Sequence, residues 1–170
     1  MRRYEKVLAA RQQNRIKQIR YSPLVPFLTD FTASQDSRDL GTLVGTMPRI
    51  LIAEDRDSMR HTLRHLFTLY SKWEVCGEAI DGQQAVDAAV ALKPDLILLD
   101  YKMPNGDGIK AASELRLKLP ETPVVIFTLY KNAELESQAR RAGVRAVIGK
   151  EEGVIKLLHT IETELQLHQQ

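Results

Sequence analysis

The sequence has little cysteine, few aromatic residues and no long apolar run. Cys76 is the only cysteine among 170 residues, so the chain can form neither an intramolecular disulfide nor a zinc site built from cysteines. No segment reaches the roughly 18 consecutive apolar residues that a membrane-spanning helix requires. The apolar patch from Leu24 to Phe31 is interrupted by Pro26 and Asp30, which makes it a poor signal-peptide core. These absences favour a protein of the reducing cytoplasm.

What the sequence does contain is the composition of an ordinary globular domain. With 44% hydrophobic and 27% charged residues it lies near the average of globular proteins, which argues against a globally disordered or fibrous chain. Its length accommodates one compact domain and a tail. The charge is unevenly placed, since residues 1–48 carry eight Lys/Arg against four Asp/Glu and the remainder is slightly acidic. The basic character therefore belongs to the N-terminal segment.

Residues 1–48 are predicted to be a tail and linker, in part a short basic helix. Residues 1–20 contain seven Lys/Arg and one acid, and residues 21–48 mix three prolines with Ser, Thr, Asp and Gly without helical or strand periodicity. A solvated tail is the simplest interpretation of the basic run, and contact with nucleic acid or an anionic surface is the alternative. Because Met47 stands directly before the first strong strand, a functional protein that starts there is a further alternative.

From Arg49 onward, short apolar runs alternate with helix-like stretches, a pattern typical of βα units that build a parallel sheet. The predicted strands are Arg49–Ala53, Glu74–Glu78, Asp95–Leu99, Val124–Phe127 and Ala146–Ile148. The predicted helices cover residues 57–70, 82–92, 107–118, 131–142 and 151–167. Asp57 and Asp107 are candidate caps of the first and third helices. The sequence therefore predicts one α/β domain over residues 49–168.

Polar side chains stand directly at the ends of these strands. In chain order they are Glu54 and Asp55, Glu78, Asp100, Thr128, and Lys150. The carboxyl ends of parallel strands meet at one edge of a sheet, where ligands of open α/β sheets bind. If right-handed crossovers place the first and third strands side by side, Glu54, Asp55 and Asp100 share one crevice.

Three neighbouring carboxylates repel one another, which raises their pKa values unless a cation compensates. Hard oxygen ligands of this kind suit Mg²⁺. Lys150 adds a positive charge beside Asp100, and Thr128 adds a hydroxyl donor. Such a site suits an incoming phosphoryl group, whose transfer depends on positioning and on neutralising charge on its oxygens. These residues predict Asp100 as a nucleophile that forms an aspartyl phosphate.

Four segments resemble the receiver domain of bacterial two-component response regulators. They are Ile50-Leu51-Ile52-Ala53-Glu54-Asp55, Pro94 to Pro104, Phe127-Thr128 and Gly149-Lys150. The acid pair, Asp, Thr and Lys at strand ends, in that order, make the resemblance specific, and it covers residues 49–168. It implies a flavodoxin-like, doubly wound sheet of five parallel strands in the order 2-1-3-4-5, with five helices.

The resemblance also implies how a metal ion is held. Asp55 and Asp100 bind Mg²⁺ directly, together with the backbone carbonyl of Lys102, and Glu54 acts through water. Within the loop after the acceptor, Asn105-Gly106-Asp107-Gly108 matches the tight turn of the family.

Two further residues receive roles from the same resemblance. Lys150 contacts the phosphoryl oxygens, and Thr128 reorients toward them as the switch. The donor is a phosphohistidine on a sensor histidine kinase or a histidine phosphotransfer protein. Because the residues after Lys150 suffice only for the last helix, we expect no attached DNA-binding domain and an output through contact with an unidentified downstream protein. We expect a signalling phosphoacceptor rather than an enzyme, with only self-phosphorylation and slow autodephosphorylation.

Three positions depart from the family pattern. Val147 stands three residues before Lys150, where many members place Tyr or Phe, and Glu151 follows Lys150, where many have a cis-forming Pro. Leu129 follows Thr128, where a small residue is frequent. These departures leave open a binding module of receiver fold that works without phosphorylation.

A phosphohydrolase of the dehalogenase type is a further alternative, because it also uses an Asp nucleophile with Mg²⁺. That class expects a second Asp two residues after the nucleophile, where this chain has Lys102. The alternative is therefore weaker than the phosphoacceptor.

Overall fold

We describe the protein from a computed structural model, which covers residues 47–70, 72–104 and 108–168. The strands are β1 (Arg49–Ala53), β2 (Glu74–Ala79), β3 (Leu96–Leu99), β4 (Val124–Thr128) and β5 (Ala146–Gly149). The helices are α1 (Asp57–Tyr70), α2 (Gly82–Leu92), α3 (Gly108–Lys118), α4 (Ala133–Arg141) and α5 (Gly153–His168). No helix within these ranges has the length and apolar character needed to cross a membrane. Residues 1–46 of the predicted tail and linker (1–48) lie outside the described residues, as do the loop residues 105–107 with the candidate cap Asp107.

All five strands run parallel in one sheet of order β2-β1-β3-β4-β5. Ala53 at the end of β1 is level with Ala79 at the end of β2 and with Leu99 at the end of β3. Thr128 at the end of β4 is level with Gly149 at the end of β5. This register brings the residues that follow the strands to the same edge of the sheet, and it confirms the predicted flavodoxin-like order.

Helices cover both faces of the sheet, which explains the continuous apolar runs of the central strands. Because successive strand residues point to opposite faces, Ile52 and Leu98 join Phe67 in the core under α1 and α5. Leu51 and Leu99 belong to the opposite core, under α2 and α3. These side chains are almost completely buried, and each such burial stabilises the fold by roughly 1.5–3 kcal/mol.

Helix α1 illustrates how the sequence pattern becomes packing. Leu63, Leu66, Phe67 and Tyr70 recur at spacings of three and four residues and form one apolar stripe. Leu63 and Phe67 are buried in the core, and Leu66 and Tyr70 pack against it. Trp73, between α1 and β2, meets the Phe67 ring edge-on at a centroid distance of 5.6 Å. The stripe therefore attaches α1 to the sheet.

The start of α4 and the expected cap of α1 need correction. Helix α4 begins at Ala133 rather than at residue 131, because Asn132 is extended and its side chain accepts a hydrogen bond from the amide of Leu135 at 2.8 Å. Asp57 was expected to cap α1, but it is the first residue of the helix. Its carboxylate accepts a hydrogen bond from Arg60 at 2.6 Å.

The last helix also begins later than predicted. Residues Lys150–Glu152 form a short 3-10 helix, so α5 starts at Gly153 instead of residue 151. Gly153 has a φ of 83°, a left-handed conformation that glycine adopts without steric cost. The 3-10 turn places Lys150 at the edge of the sheet, directly after β5.

Candidate functional site

The residues after β1, β3 and β5 meet at one edge of the sheet. Glu54, Asp55 and Asp100 each place a carboxylate oxygen within 4.8 Å of the others. Glu54 and Asp100 are 1% and 5% exposed, and Asp55 is half-buried. We call these three residues the acidic cluster. Lys150 reaches the same place, so the structure brings together four of the residues that the sequence singled out.

Lys150 lies between two of the buried carboxylates. Its Nζ is 2.6 Å from Glu54 Oε2 and 2.8 Å from Asp100 Oδ2, and only 3% of its side chain is exposed. A second cation, Arg56, places Nε 3.4 Å from Glu54 Oε1 and is half exposed. Arg56 was not among the predicted site residues, although its position directly after the acid pair was a usable signal.

The surroundings of Glu54 shift the pKa of its carboxyl group. Burial raises the pKa of Glu54 above its usual value of 4.5, because the charged form loses water. The hydrogen bond from Lys150 opposes this effect, and the negative charge of Asp100 reinforces it. A further positive charge close to Glu54 would therefore favour its charged form.

Two buried carboxylate oxygens also indicate a position for a cation. Glu54 Oε1 and Asp100 Oδ1 are buried and have no hydrogen-bond partner within the described part of the chain. A buried carboxylate oxygen without a partner is costly, and a cation coordinated there would remove the cost. Mg²⁺ also prefers oxygen ligands, and it is usually bound by one or two carboxylates together with water molecules. The acidic cluster is thus typical of a magnesium site.

Backbone contacts fix the position of Asp100. Its amide donates a hydrogen bond to the carbonyl of Ala53 at 2.8 Å, which ties the ends of β3 and β1 together. At the start of α3, a Cβ on Gly108 would lie 2.4 Å from the carbonyl oxygen of Asp100, so only glycine allows this approach. The Gly108 amide donates to the carbonyl of Tyr101 at 2.8 Å.

Thr128, at the end of β4, is fully buried. Its hydroxyl oxygen accepts a hydrogen bond from the amide of Tyr130 at 3.2 Å. Lys102, in the loop after β3, is exposed, and its ammonium lies 5.8 Å from the centroid of the Tyr130 ring and 5.7 Å from that of Tyr101. The loops after β3 and β4 are therefore in contact.

Glu78 does not join the acidic cluster, although it was noted at the end of the second predicted strand. Strand β2 continues to Ala79, and the Glu78 carboxylate accepts hydrogen bonds from Arg60, at 3.1 Å, and from Arg64. Arg60 also donates to the carbonyl of Glu54 at 2.9 Å. Glu78 thus supports the acidic cluster through Arg60.

Known proteins with this sequence pattern and fold are response regulators. The response regulator receiver domain family matches residues 50–162. The chain is 41% identical over 114 residues to the transcriptional regulatory protein PdtaR of Mycobacterium tuberculosis, an alignment that covers 67% of this chain and 55% of PdtaR. The uncharacterized transcriptional regulatory protein YhcZ of Bacillus subtilis is 37% identical over 98 residues, or 58% of this chain and 46% of YhcZ. The chain spans about half the length of the curated relatives it matches.

Solved structures show the same relationship. The response regulator domain of Thermotoga maritima CheB superposes with a TM-score of 0.66 at 30% identity, covering 71% of this chain and 97% of that one. The receiver domain of the Mycobacterium tuberculosis NarL response regulator also gives a TM-score of 0.66, at 27% identity, over 70% of this chain and 96% of that one. The family match spans more than half of the sequence and agrees with the sheet order and the acidic cluster, and the chain therefore belongs to the response regulator receiver domain family.

Proposed function

We propose that this chain accepts a phosphoryl group on Asp100 from a phosphohistidine donor, in a reaction that depends on Mg²⁺. A receiver domain is a signalling phosphoacceptor and implies a histidine kinase as partner, either directly or through a phosphotransfer protein. One observation carries the assignment to Asp100: its buried carboxylate is held 2.8 Å from the buried ammonium of Lys150, while its second oxygen has no hydrogen-bond partner among the described residues. The nucleophile is thus oriented and has a free oxygen.

We assign four residues to the metal ion. Asp55 and Asp100 would hold it directly, together with the backbone carbonyl of Lys102, and Glu54 would act through water. The proximity of the three carboxylates supports this assignment, as do the oxygens of Glu54 and Asp100 that accept no hydrogen bond from the described residues. When bound, Mg²⁺ supplies positive charge that stabilises the phosphoryl oxygens during transfer.

The transfer itself is a simple exchange of bonds. A carboxylate oxygen of Asp100 forms a bond to phosphorus, the bond from phosphorus to the donor histidine nitrogen breaks, and its electron pair returns to the imidazole. The ammonium of Lys150 stays protonated and offers its hydrogens to the phosphoryl oxygens. The Thr128 hydroxyl, now accepting from the Tyr130 amide, turns to donate to the same oxygens.

We propose that the phosphorylated domain acts in the cytoplasm through contact with a downstream protein. Leu129 and Tyr130 support this proposal, since they follow Thr128 directly and are 52% and 53% exposed. A movement of Thr128 would therefore displace the exposed side chains of Leu129 and Tyr130. The names of PdtaR and YhcZ record transcriptional regulation by those proteins, and this chain spans about half of their length.

Two other functions suggested by the sequence have less support than phosphorylation of Asp100. Membership of the receiver family removes the support for a dehalogenase-type phosphohydrolase. A receiver-like binding module that works without phosphorylation is favoured by Val147, which has no aromatic ring to couple to Thr128. The intact acidic cluster favours phosphorylation over this alternative.

The test is to incubate the full chain with acetyl phosphate and Mg²⁺ and to measure its intact mass. We expect a gain of about 80 Da for one phosphoryl group in the parent, and none in Asp100→Asn or when EDTA replaces Mg²⁺. Asp87→Asn is the matched control, because Asp87 is an exposed carboxylate on α2 that accepts a hydrogen bond only from Gln83 in the described structure. It should be labelled like the parent.

Each other outcome has a defined meaning. Labelling of Asp100→Asn to the extent of the parent contradicts the assignment of the acceptor. A parent that stays unlabelled, with Mg²⁺ and excess donor, favours the phosphorylation-independent binding module.

A further inference from the structure

A cavity lined by three arginines lies at the end of the sheet opposite to the acidic cluster. Its volume is about 260 Å³, and its walls include Arg116, Thr122, Arg140, Gly143 and Arg145. These residues come from the C-terminal parts of α3 and α4 and from the segments that lead into β4 and β5. We call this cavity the arginine pocket.

One of the three guanidinium groups is held in place by the fold. Arg116 Nη1 donates a hydrogen bond to the carbonyl of Arg141 at 3.0 Å. Gly143 has a φ of 86°, and a Cβ added to it would lie 2.5 Å from Cδ of Arg116. The Arg116 side chain thus lies directly against the glycine backbone, so little conformational freedom remains to be lost on ligand binding.

The other two arginines of the pocket are Arg140 and Arg145. Among the described residues, no hydrogen bond or ion pair engages the side chain of Arg140 or Arg145. No carboxylate from the described part of the chain lines the pocket either. Arginines in the last turn of a helix complement the helix dipole, which accounts for Arg116 and Arg140. It does not account for Arg145, which precedes β5 and brings a third positive charge to the same cavity.

We propose that the arginine pocket binds a small phosphate-bearing anion of about the size of pyrophosphate. The planar guanidinium group matches the oxygens of a phosphate in a two-point contact, and three such groups favour a compact ligand with several negative charges. Ligand pockets commonly measure about 300–1,000 Å³, so a cavity of about 260 Å³ suits a pyrophosphate group rather than a whole nucleotide.

The test is isothermal titration of the full chain with sodium pyrophosphate, in buffer that contains EDTA and no Mg²⁺. Titration with sodium sulfate at the same ionic strength is the reference for unspecific anion binding. We expect one saturable site, weakened roughly 10- to 100-fold in Arg140→Gln and in Arg145→Gln, since each variant removes a charge-assisted hydrogen bond. Both side chains are exposed, so the variants should unfold at the same temperature as the parent without ligand.

Two controls separate the pocket from other causes. Arg141→Gln removes the same charge from α4, but the Arg141 side chain bonds Ser137 at 3.2 Å and does not line the pocket. It should bind pyrophosphate like the parent. Asp100→Asn should also bind pyrophosphate like the parent, because the acidic cluster lies at the other end of the strands. Pyrophosphate binding and phosphorylation of Asp100 can therefore be tested separately.

Three results would overturn the proposal. The first is the absence of saturable pyrophosphate binding, and the second is an equal loss of affinity in Arg141→Gln and Arg145→Gln, which would indicate general charge attraction. The third is binding of a short single-stranded RNA that Arg145→Gln abolishes while pyrophosphate does not bind, which would assign the pocket to a nucleic-acid backbone.

Discussion

Lys131 and Glu152 form an ion pair of 2.7 Å that joins the loop after β4 to the 3-10 helix after β5. The same oxygen, Glu152 Oε1, accepts a hydrogen bond from the amide of Gly149 at 2.7 Å. Gly149 directly precedes Lys150, and Lys131 stands three residues after Thr128. The pair therefore connects the backbone segments that carry two of the proposed site residues.

The first prediction concerns the pH dependence of this pair. The hydrogen bonds from Lys131 and the Gly149 amide lower the pKa of Glu152 below its usual 4.5, and Glu152 raises the pKa of Lys131 above its usual 10.5. The stabilisation is therefore present at neutral pH and is lost as the pH falls through the lowered pKa of Glu152. It is also lost as the pH rises through the raised pKa of Lys131.

Because the pair is accessible to solvent, we expect Glu152→Gln to lower the free energy of unfolding by at most about 1 kcal/mol at neutral pH. The difference from the parent should vanish at a pH well below 4.5. Urea denaturation across the pH range measures it. Glu121→Gln, at an exposed position outside this network, is the control and should follow the parent. A difference that persists undiminished in acid would show that the ion pair is not its cause.

The second prediction is that Lys150 stabilises the fold by placing a positive charge between two buried carboxylates. Lys150→Met leaves Glu54 and Asp100 buried without their shared cation, so we expect a loss on the order of 3 kcal/mol at neutral pH in Mg²⁺-free buffer. Denaturation with urea checks it. Lys102 is an exposed lysine whose ammonium lies near the rings of Tyr101 and Tyr130, and Lys102→Met should change the stability by less than about 0.5 kcal/mol. A Lys150→Met protein as stable as the parent would contradict this prediction.

The third prediction is that Mg²⁺ stabilises the folded protein through the acidic cluster. At a free Mg²⁺ concentration roughly 100 times the dissociation constant, the gain in unfolding free energy approaches about 2.7 kcal/mol. Thermal unfolding with and without Mg²⁺ measures the gain. Asp55→Asn should remove most of it, and Asp87→Asn should retain it. An equal gain in Asp55→Asn and the parent would place the ion elsewhere.

The fourth prediction concerns the lifetime of the phosphoryl group and rests on the proposed function. Leu129 follows Thr128 and is 52% exposed, and we expect its bulky side chain to limit the access of water to the phosphoryl group. We expect Leu129→Ala to shorten the half-life of the phosphorylated protein several-fold, measured by decay of a radiolabel. Leu117→Ala, at an exposed leucine on α3, should decay like the parent. Equal decay of the radiolabel in Leu129→Ala and the parent would contradict this prediction.

Much of the fold could be predicted because the signals are local. The runs Leu96–Leu99 and Val124–Phe127 are buried strands, as their unbroken apolar character indicated. Helix starts were less certain, because several polar residues near each start compete to cap it. Asn132 caps α4 and directly precedes its first residue. Asp57 lies inside α1, where its carboxylate accepts a hydrogen bond from Arg60.

The neighbours of the site residues could not be predicted in the same way. The sequence placed Glu78 at a strand end, but its pairing with Arg60 depends on how α1 lies across β2. Arg56 was overlooked because a basic residue in a loop is usually a solvated surface residue. Its contact with Glu54 depends on the path of the chain between β1 and α1.

The alternation of strands and helices and the polar residues that end each strand could be predicted from the amino-acid order alone, because these features depend on periodicities of a few residues. The position of Lys150 between Glu54 and Asp100, which are 96 and 50 residues away along the chain, arises only when the chain is folded. The grouping of Arg116, Arg140 and Arg145 around one cavity also arises only in the folded chain. Such contacts depend on the order and register of the parallel strands and on the burial of the helices against them, and no local pattern in the sequence encodes that geometry.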